Sequence, residues 1–140
     1  LSIHVSIIMM SYALLSLTFI SAIAYFFTRN SKRESVISVN KQLTDLSQIF
    51  LYPAITTLGL GIFIGAIWAN ISWGTYWGWD PKETWALITF LIYAIPLHTN
   101  SLPALRKPEK YHFFMLLSFL SILMTYFGVN YILGGMHSYA

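Results

Sequence analysis

Long apolar runs, separated by short charged segments, leave this chain few folds to adopt. Of its 140 residues 56% are hydrophobic and 9% charged, where a soluble domain carries roughly 25% charged residues. The runs cover about residues 3–27, 50–68, 81–98 and 111–133, each near the roughly 20 apolar residues that cross a bilayer. In lipid every backbone polar group needs a partner within the chain, which favours helices. The expectation is an all-α, polytopic membrane bundle of about four transmembrane helices, forming a single domain over residues 1–140. With no cysteine, disulfides and thioether acceptance are excluded. The chain opens at Leu1 and reads as a helix at once, so its first residues are not expected to be a signal peptide. It is expected to be the C-terminal part of a longer membrane protein.

Charge sets an expected topology. Arg29, Lys32, Arg33 and Lys41 fall between the first two runs, and Arg106, Lys107 and Lys110 between the last two; of the 8 basic residues only Lys82 lies elsewhere. By the positive-inside rule these two loops face the cytoplasm, or the stroma of a plastid. The same rule accounts for the net charge of +3 better than nucleic-acid binding does, so no nucleic-acid partner is expected. The segment around 69–84, the start of the first span and the end of the last share the opposite, outer side.

That outer segment is unusual. Trp73-Gly74-Thr75-Tyr76-Trp77-Gly78-Trp79-Asp80 sets three indoles among two glycines. Interfacial aromatic belts explain Trp68 and Trp85 well. They explain the Trp73, Trp77, Trp79 cluster poorly, because an anchor has no need of Gly74 and Gly78, which let a flat ring approach the backbone. If the segment were helical, Trp73 and Trp77 would share a face. Asp80, Pro81 and Glu83 read as a helix start, with Asp80 as cap, Pro81 in the first helical position and Glu83 completing a capping box. The Gly61-x-x-x-Gly65 pair reads as a helix-packing motif.

Topology brings His4 and His137, from opposite ends of the chain, to the same interface as this segment. Taken singly, each fits an ordinary interfacial histidine. As a pair beside an indole platform they fit two axial ligands of a haem iron. His98 closes the third run on the basic side, where it reads as a helix C-terminal cap or a ligand of a second centre. His112 reads as an interfacial residue.

Trp73 to Trp85 resembles the WWD signature of haem-handling membrane proteins. Its continuation, Asp80-Pro81-Lys82-Glu83-Thr84-Trp85, is similar to the CcsA (ResC) branch of system II cytochrome c biogenesis; the CcmC and CcmF branches carry a related but different ending. The resemblance extends to Leu1 through Ser6, to Leu97-His98-Thr99, to Gly128-Val129-Asn130 and to Met136-His137-Ser138-Tyr139. It implies that haem b (iron protoporphyrin IX) rests on Trp73, Trp77, Trp79 and Asp80 with His4 and His137 as axial ligands. It implies that His98 ligates a transmembrane haem whose other ligand lies on a partner, CcsB (ResB). It further implies presentation of haem on the lumenal or periplasmic side for thioether attachment to the Cys-x-x-Cys-His motif of apocytochrome c, with haem transport across the membrane. The membrane would be a thylakoid or a bacterial cytoplasmic membrane. No residue reads as a general acid or base, and Asp80 and Glu83 read as structural. The alternatives are a haem exporter or chaperone of the CcmC type, without ligation chemistry, and a structural membrane subunit.

Overall fold

The computed structural model of the chain describes residues 2–133. Among them are four α-helices: α1 (Ser2–Thr28), α2 (Glu34–Trp73), α3 (Pro81–Ala94) and α4 (Pro108–Leu123). Two 3₁₀ turns, Ile95–His98 and Pro103–Arg106, join α3 to α4, and α4 continues as a π-helical segment, Met124–Leu133. No strand occurs among the described residues.

Three helical runs are long and apolar enough to cross a membrane: Ser2–Thr28, Glu34–Trp73 and Pro108–Leu133. Of the four expected runs, the third is not among these long helices. The third expected span divides into α3, with 14 residues or about 21 Å of α-helix, and the 3₁₀ turn. Pro96 is the reason. It offers no backbone N–H to continue the α-helical ladder, although Ile95 before it keeps right-handed helical geometry (φ −55°, ψ −49°). The second span differs in the other direction: α2 has 40 residues and begins at Glu34 rather than near 50. Its first turns are too polar for a hydropathy window but are good helix. Glu34 sits in the first turn, where a carboxylate complements the helix dipole, and Thr44, Ser47 and Leu51 form its buried stripe at helical spacing.

α1 and α2 form an antiparallel hairpin closed by polar contacts along its length. Thr28 Oγ1 donates to Asn40 Oδ1 at 2.6 Å, Ser11 Oγ to the Ala54 carbonyl at 2.8 Å, and His4 Nδ1 to the Gly61 carbonyl at 2.8 Å. Between membrane helices such bonds and close packing replace the hydrophobic drive that lipid removes. α4 packs on α1 through stacked Phe19 and Phe119, with centroids 4.1 Å apart. Its start meets α2 through Tyr111 Oη and Ser47 Oγ at 3.0 Å and His112 Nε2 and Thr44 Oγ1 at 2.9 Å. Thr89 of α3 meets Thr125 of the π-helical segment at 3.2 Å. The shared core is Leu15, Leu51, Leu58, Tyr93, Tyr111 and Met115. The hydroxyls of Ser16, Ser21 and Ser118 return to the carbonyl four residues back, so they enter apolar spans at little cost.

Candidate functional site

At the end of the bundle where α1 begins and α2 finishes, a cavity of about 510 Å³ opens, within the range of small-molecule and cofactor sites. Its wall is largely apolar, with Val5, Ile8 and Met9 from α1, Ile62 and Ala66 from α2, and Ala86 from α3. Polar groups enter at few points: His4, Tyr12, Trp77, Lys82, Glu83, Thr125, Tyr126 and Asn130.

His4 is seated by α2. A carbonyl only accepts, so the Nδ1 bonded to the Gly61 carbonyl at 2.8 Å carries the ring proton, and Nε2 is the basic nitrogen. The ring occupies the space above Gly65, where a Cβ would stand 2.5 Å from its Cε1 and 2.8 Å from Nδ1. The glycine pair expected only to pack helices therefore has two different occupants, Ile8 against Gly61 and the imidazole against Gly65.

The indoles divide among three settings. Trp73 is the last residue of α2, and Gly74 ends the helix in left-handed geometry (φ 79°), its N–H bonded to the Asn70 carbonyl at 2.9 Å. Residues 74–80 are not helical, so Trp73 and Trp77 do not share a helix face. Trp73 meets Trp68 edge-on at 4.9 Å. Trp77 lines the cavity, and Trp79 meets it edge-on at 5.9 Å. Trp79 holds φ 56°, alone among the described non-glycine residues in positive φ.

The loop is tied down by the start of α3. Lys82 N–H donates to Asp80 Oδ2 at 3.1 Å, while Glu83 Oε2 accepts from the N–H of Gly78 at 2.8 Å and of Asp80 at 3.3 Å. This is the expected capping box with proline in the first turn. Asp80 is buried as the cap, two residues before Lys82 and three before Glu83, both of which line the cavity.

The structure thus brings His4 and Trp77 into one cavity, with Trp79 against Trp77. Trp73 stands apart, on Trp68. His98 lies at the other end of α3, exposed, with Nδ1 3.0 Å from the Ala94 carbonyl; this meets the cap expected of it and again makes Nε2 the basic nitrogen. His137 lies outside the described residues. No group of three or more His, Cys, Asp or Glu able to hold a metal occurs among the described residues, but a haem iron takes only axial ligands from the protein. An apolar cavity, an imidazole whose Nδ1 is tied to a backbone carbonyl and an indole in the wall fit such a group.

His112 corrects its interfacial reading. It is fully buried and stacked on Tyr25 with centroids 4.4 Å apart. Thr44 spends its hydroxyl proton on the Asn40 carbonyl at 3.0 Å, so it accepts from His112 Nε2–H, and Nδ1 of His112 has no partner among the described residues. Thr125, Tyr126 and Asn130 of the cavity wall were also missed. They come from the π-helical segment, whose wider turn sequence periodicity does not announce.

Fold and cavity define a helical membrane protein with a histidine- and indole-lined chamber at one end of the bundle. The family model described as "Cytochrome C assembly protein" matches residues 1–137, and the chain belongs to that family. It is similar to Protein NrfI of Wolinella succinogenes, 44% identical over 147 residues, covering 100% of this chain and 16% of that protein. It is also similar to the cytochrome c biogenesis proteins CcsA of Solanum tuberosum, 43% identical over 83% of this chain and 36% of that protein, and of Cyanophora paradoxa, 46% identical over 75% of this chain and 32% of that protein. The chain therefore spans about a third of these CcsA proteins and less of NrfI.

Proposed function

We propose that the chain binds haem in the His4–Trp77 cavity and presents it on the outer face of the membrane for covalent attachment to apocytochrome c. The observation that carries this is the single cavity shared by an imidazole held in one tautomer and an indole wall. Membership of the cytochrome c assembly family, and relatives named for cytochrome c biogenesis, support haem as the cargo.

The chain's contribution is placement. The Gly61 carbonyl holds the proton on Nδ1, so His4 offers Nε2 as a ligand without a prior proton loss. Trp77 and the aliphatic wall exclude water from the ring faces, and Glu83 fixes the loop that carries Trp77 and Trp79. His137 would supply the opposite ligand. When bound, haem supplies two vinyl groups: each cysteine S–H of a Cys-x-x-Cys-His segment adds across one, sulfur to one carbon and hydrogen to the other, with no external oxidant. The histidine of that segment then takes the place of one axial ligand. Holding cargo in reach of an incoming thiol is an orientation effect. The exposed His98, its Nδ1 tied to Ala94, fits a ligand whose counterpart comes from a second protein such as CcsB.

The test is the visible spectrum of the detergent-purified chain, ferric and dithionite-reduced, with His4→Ala and Trp77→Ala beside it. Low-spin haem bands in the parent, lost in His4→Ala and restored by added imidazole, are expected. Unchanged bands in His4→Ala would overturn the ligand assignment.

A further inference from the structure

The opposite end of the bundle carries a second cleft, of about 540 Å³, between the end of α1, the first turns of α2 and the 3₁₀ turn before α4. Nothing in the haem reading uses it. Three cations line it from three separate elements: Arg29, Lys41 and Arg106.

Each cation is placed differently. Arg106 is held by neutral oxygens, Nε donating to the Thr99 carbonyl at 3.1 Å and a terminal nitrogen to Asn100 Oδ1 at 3.3 Å, so its charge is steadied but not cancelled. Arg29 pairs with Glu109 and lies over the Phe26 ring at 5.0 Å. Lys41 makes no hydrogen bond or ion pair among the described residues. Asp45 is the one carboxylate in the lining. With Glu109 engaged by Arg29, the cleft keeps a net positive charge. Its floor is fixed, because Tyr25 is stacked on buried His112 and Thr44 is bonded to that same ring.

Positive-inside anchoring explains basic residues scattered over a loop. It does not explain three that converge on one volume while Lys32, Arg33, Lys107 and Lys110 of the same loops stay outside its lining. We propose that this cleft binds a phosphate-bearing anion, the headgroup of an anionic phospholipid of the inner leaflet. A guanidinium steadied by neutral oxygens, an unpaired ammonium and the side-chain NH2 of Asn40, whose Oδ1 is engaged by Thr28, suit phosphodiester oxygens. The leaflet on this side is where such lipids concentrate.

The experiment titrates the purified chain in neutral detergent with short-chain phosphatidylglycerol, phosphatidylcholine or inorganic phosphate, reading the unfolding temperature. Phosphatidylglycerol is expected to stabilise the parent, with phosphatidylcholine and phosphate having little effect. The Lys41→Gln/Arg106→Gln pair is expected to bind phosphatidylglycerol about 30-fold more weakly, the effect of removing two cations beside an anionic headgroup. Lys32→Gln/Lys110→Gln removes the same charge outside the cleft and should retain binding, as should Arg106→Lys. Equal losses in both double variants would overturn the site in favour of diffuse charge. Stabilisation by phosphate as large as by the lipid would overturn the lipid source and leave a free-phosphate site.

Discussion

His4 is bonded through Nδ1 to the Gly61 carbonyl at 2.8 Å, and its ring rests where a side chain on Gly65 would otherwise stand. A helix that had to accommodate an imidazole at this depth could carry no larger residue at that position. The relation separates two glycines that look equivalent in sequence.

Gly65→Ala should therefore act on the site and Gly61→Ala on packing. A Cβ at Gly65 meets a rigid ring at 2.5 Å, whereas one at Gly61 meets the flexible end of Ile8 at 2.5 Å. The overpacking cost of about 1–3 kcal/mol is partly offset by the helix-propensity gain of about 1 kcal/mol, so both proteins should remain folded. Gly65→Ala is expected to shift or abolish low-spin haem bands and Gly61→Ala to leave them in place. Identical spectra for the two would contradict the seating of His4 on Gly65.

Removing Glu83 should loosen the tryptophan loop without unfolding the bundle. Its Oε2 serves two N–H groups, those of Gly78 and Asp80, at about 1 kcal/mol per hydrogen bond. In Glu83→Ala, amide exchange at Gly78 should accelerate by at least about tenfold, the change that 1.4 kcal/mol represents. Glu83→Gln, which keeps an acceptor, should stay near the parent.

Trp79→Gly should separate stability from binding. A non-glycine residue in left-handed geometry costs about 1–2 kcal/mol, and Trp79 is 71% exposed, so little burial is lost with it. The unfolding temperature is expected to hold or rise while haem retention falls. A large loss of stability would show that the indole is packed as a structural anchor.

The buried pair at the other end invites a double-mutant cycle. His112→Ala removes a fully buried ring stacked on Tyr25 and should cost about 2–5 kcal/mol, as other large-to-small core changes do. His112→Phe with Thr44→Val keeps the shape and removes both polar partners together with the unpartnered Nδ1. That double change should be near neutral, as read from denaturation midpoints.

Hydropathy and charge carried much of the fold because lipid imposes them. The all-helical class, the spans near 3–27 and 111–133, and the cap at Asp80 needed only apolar runs and local chemistry. The start of α2 was hidden because hydropathy reports burial in lipid, and residues 34–49 are helical without being apolar. The shortened α3 was hidden because Pro96 sits in a run whose composition suits a span. Trp73 and Trp77 fell on either side of a helix end that Gly74 determines through its φ. His112 was misjudged because its neighbours in sequence are charged, while its neighbours in space, Tyr25 and Thr44, lie far away in the chain.

α2 has one further consequence. It is about 60 Å long, twice the hydrocarbon thickness of about 30 Å, and it borders both the basic cleft and the indole-walled chamber. Its ladder lacks one rung, at Pro53, which has no N–H to give. Lys41 and Gly65 stand the same number of residues from that proline on either side, each about 18 Å away. The helix is thus a beam with its weak point at Pro53: a bend of about 10° there would displace either arm by about 3 Å at these two residues, enough to unseat the ring of His4 from Gly65.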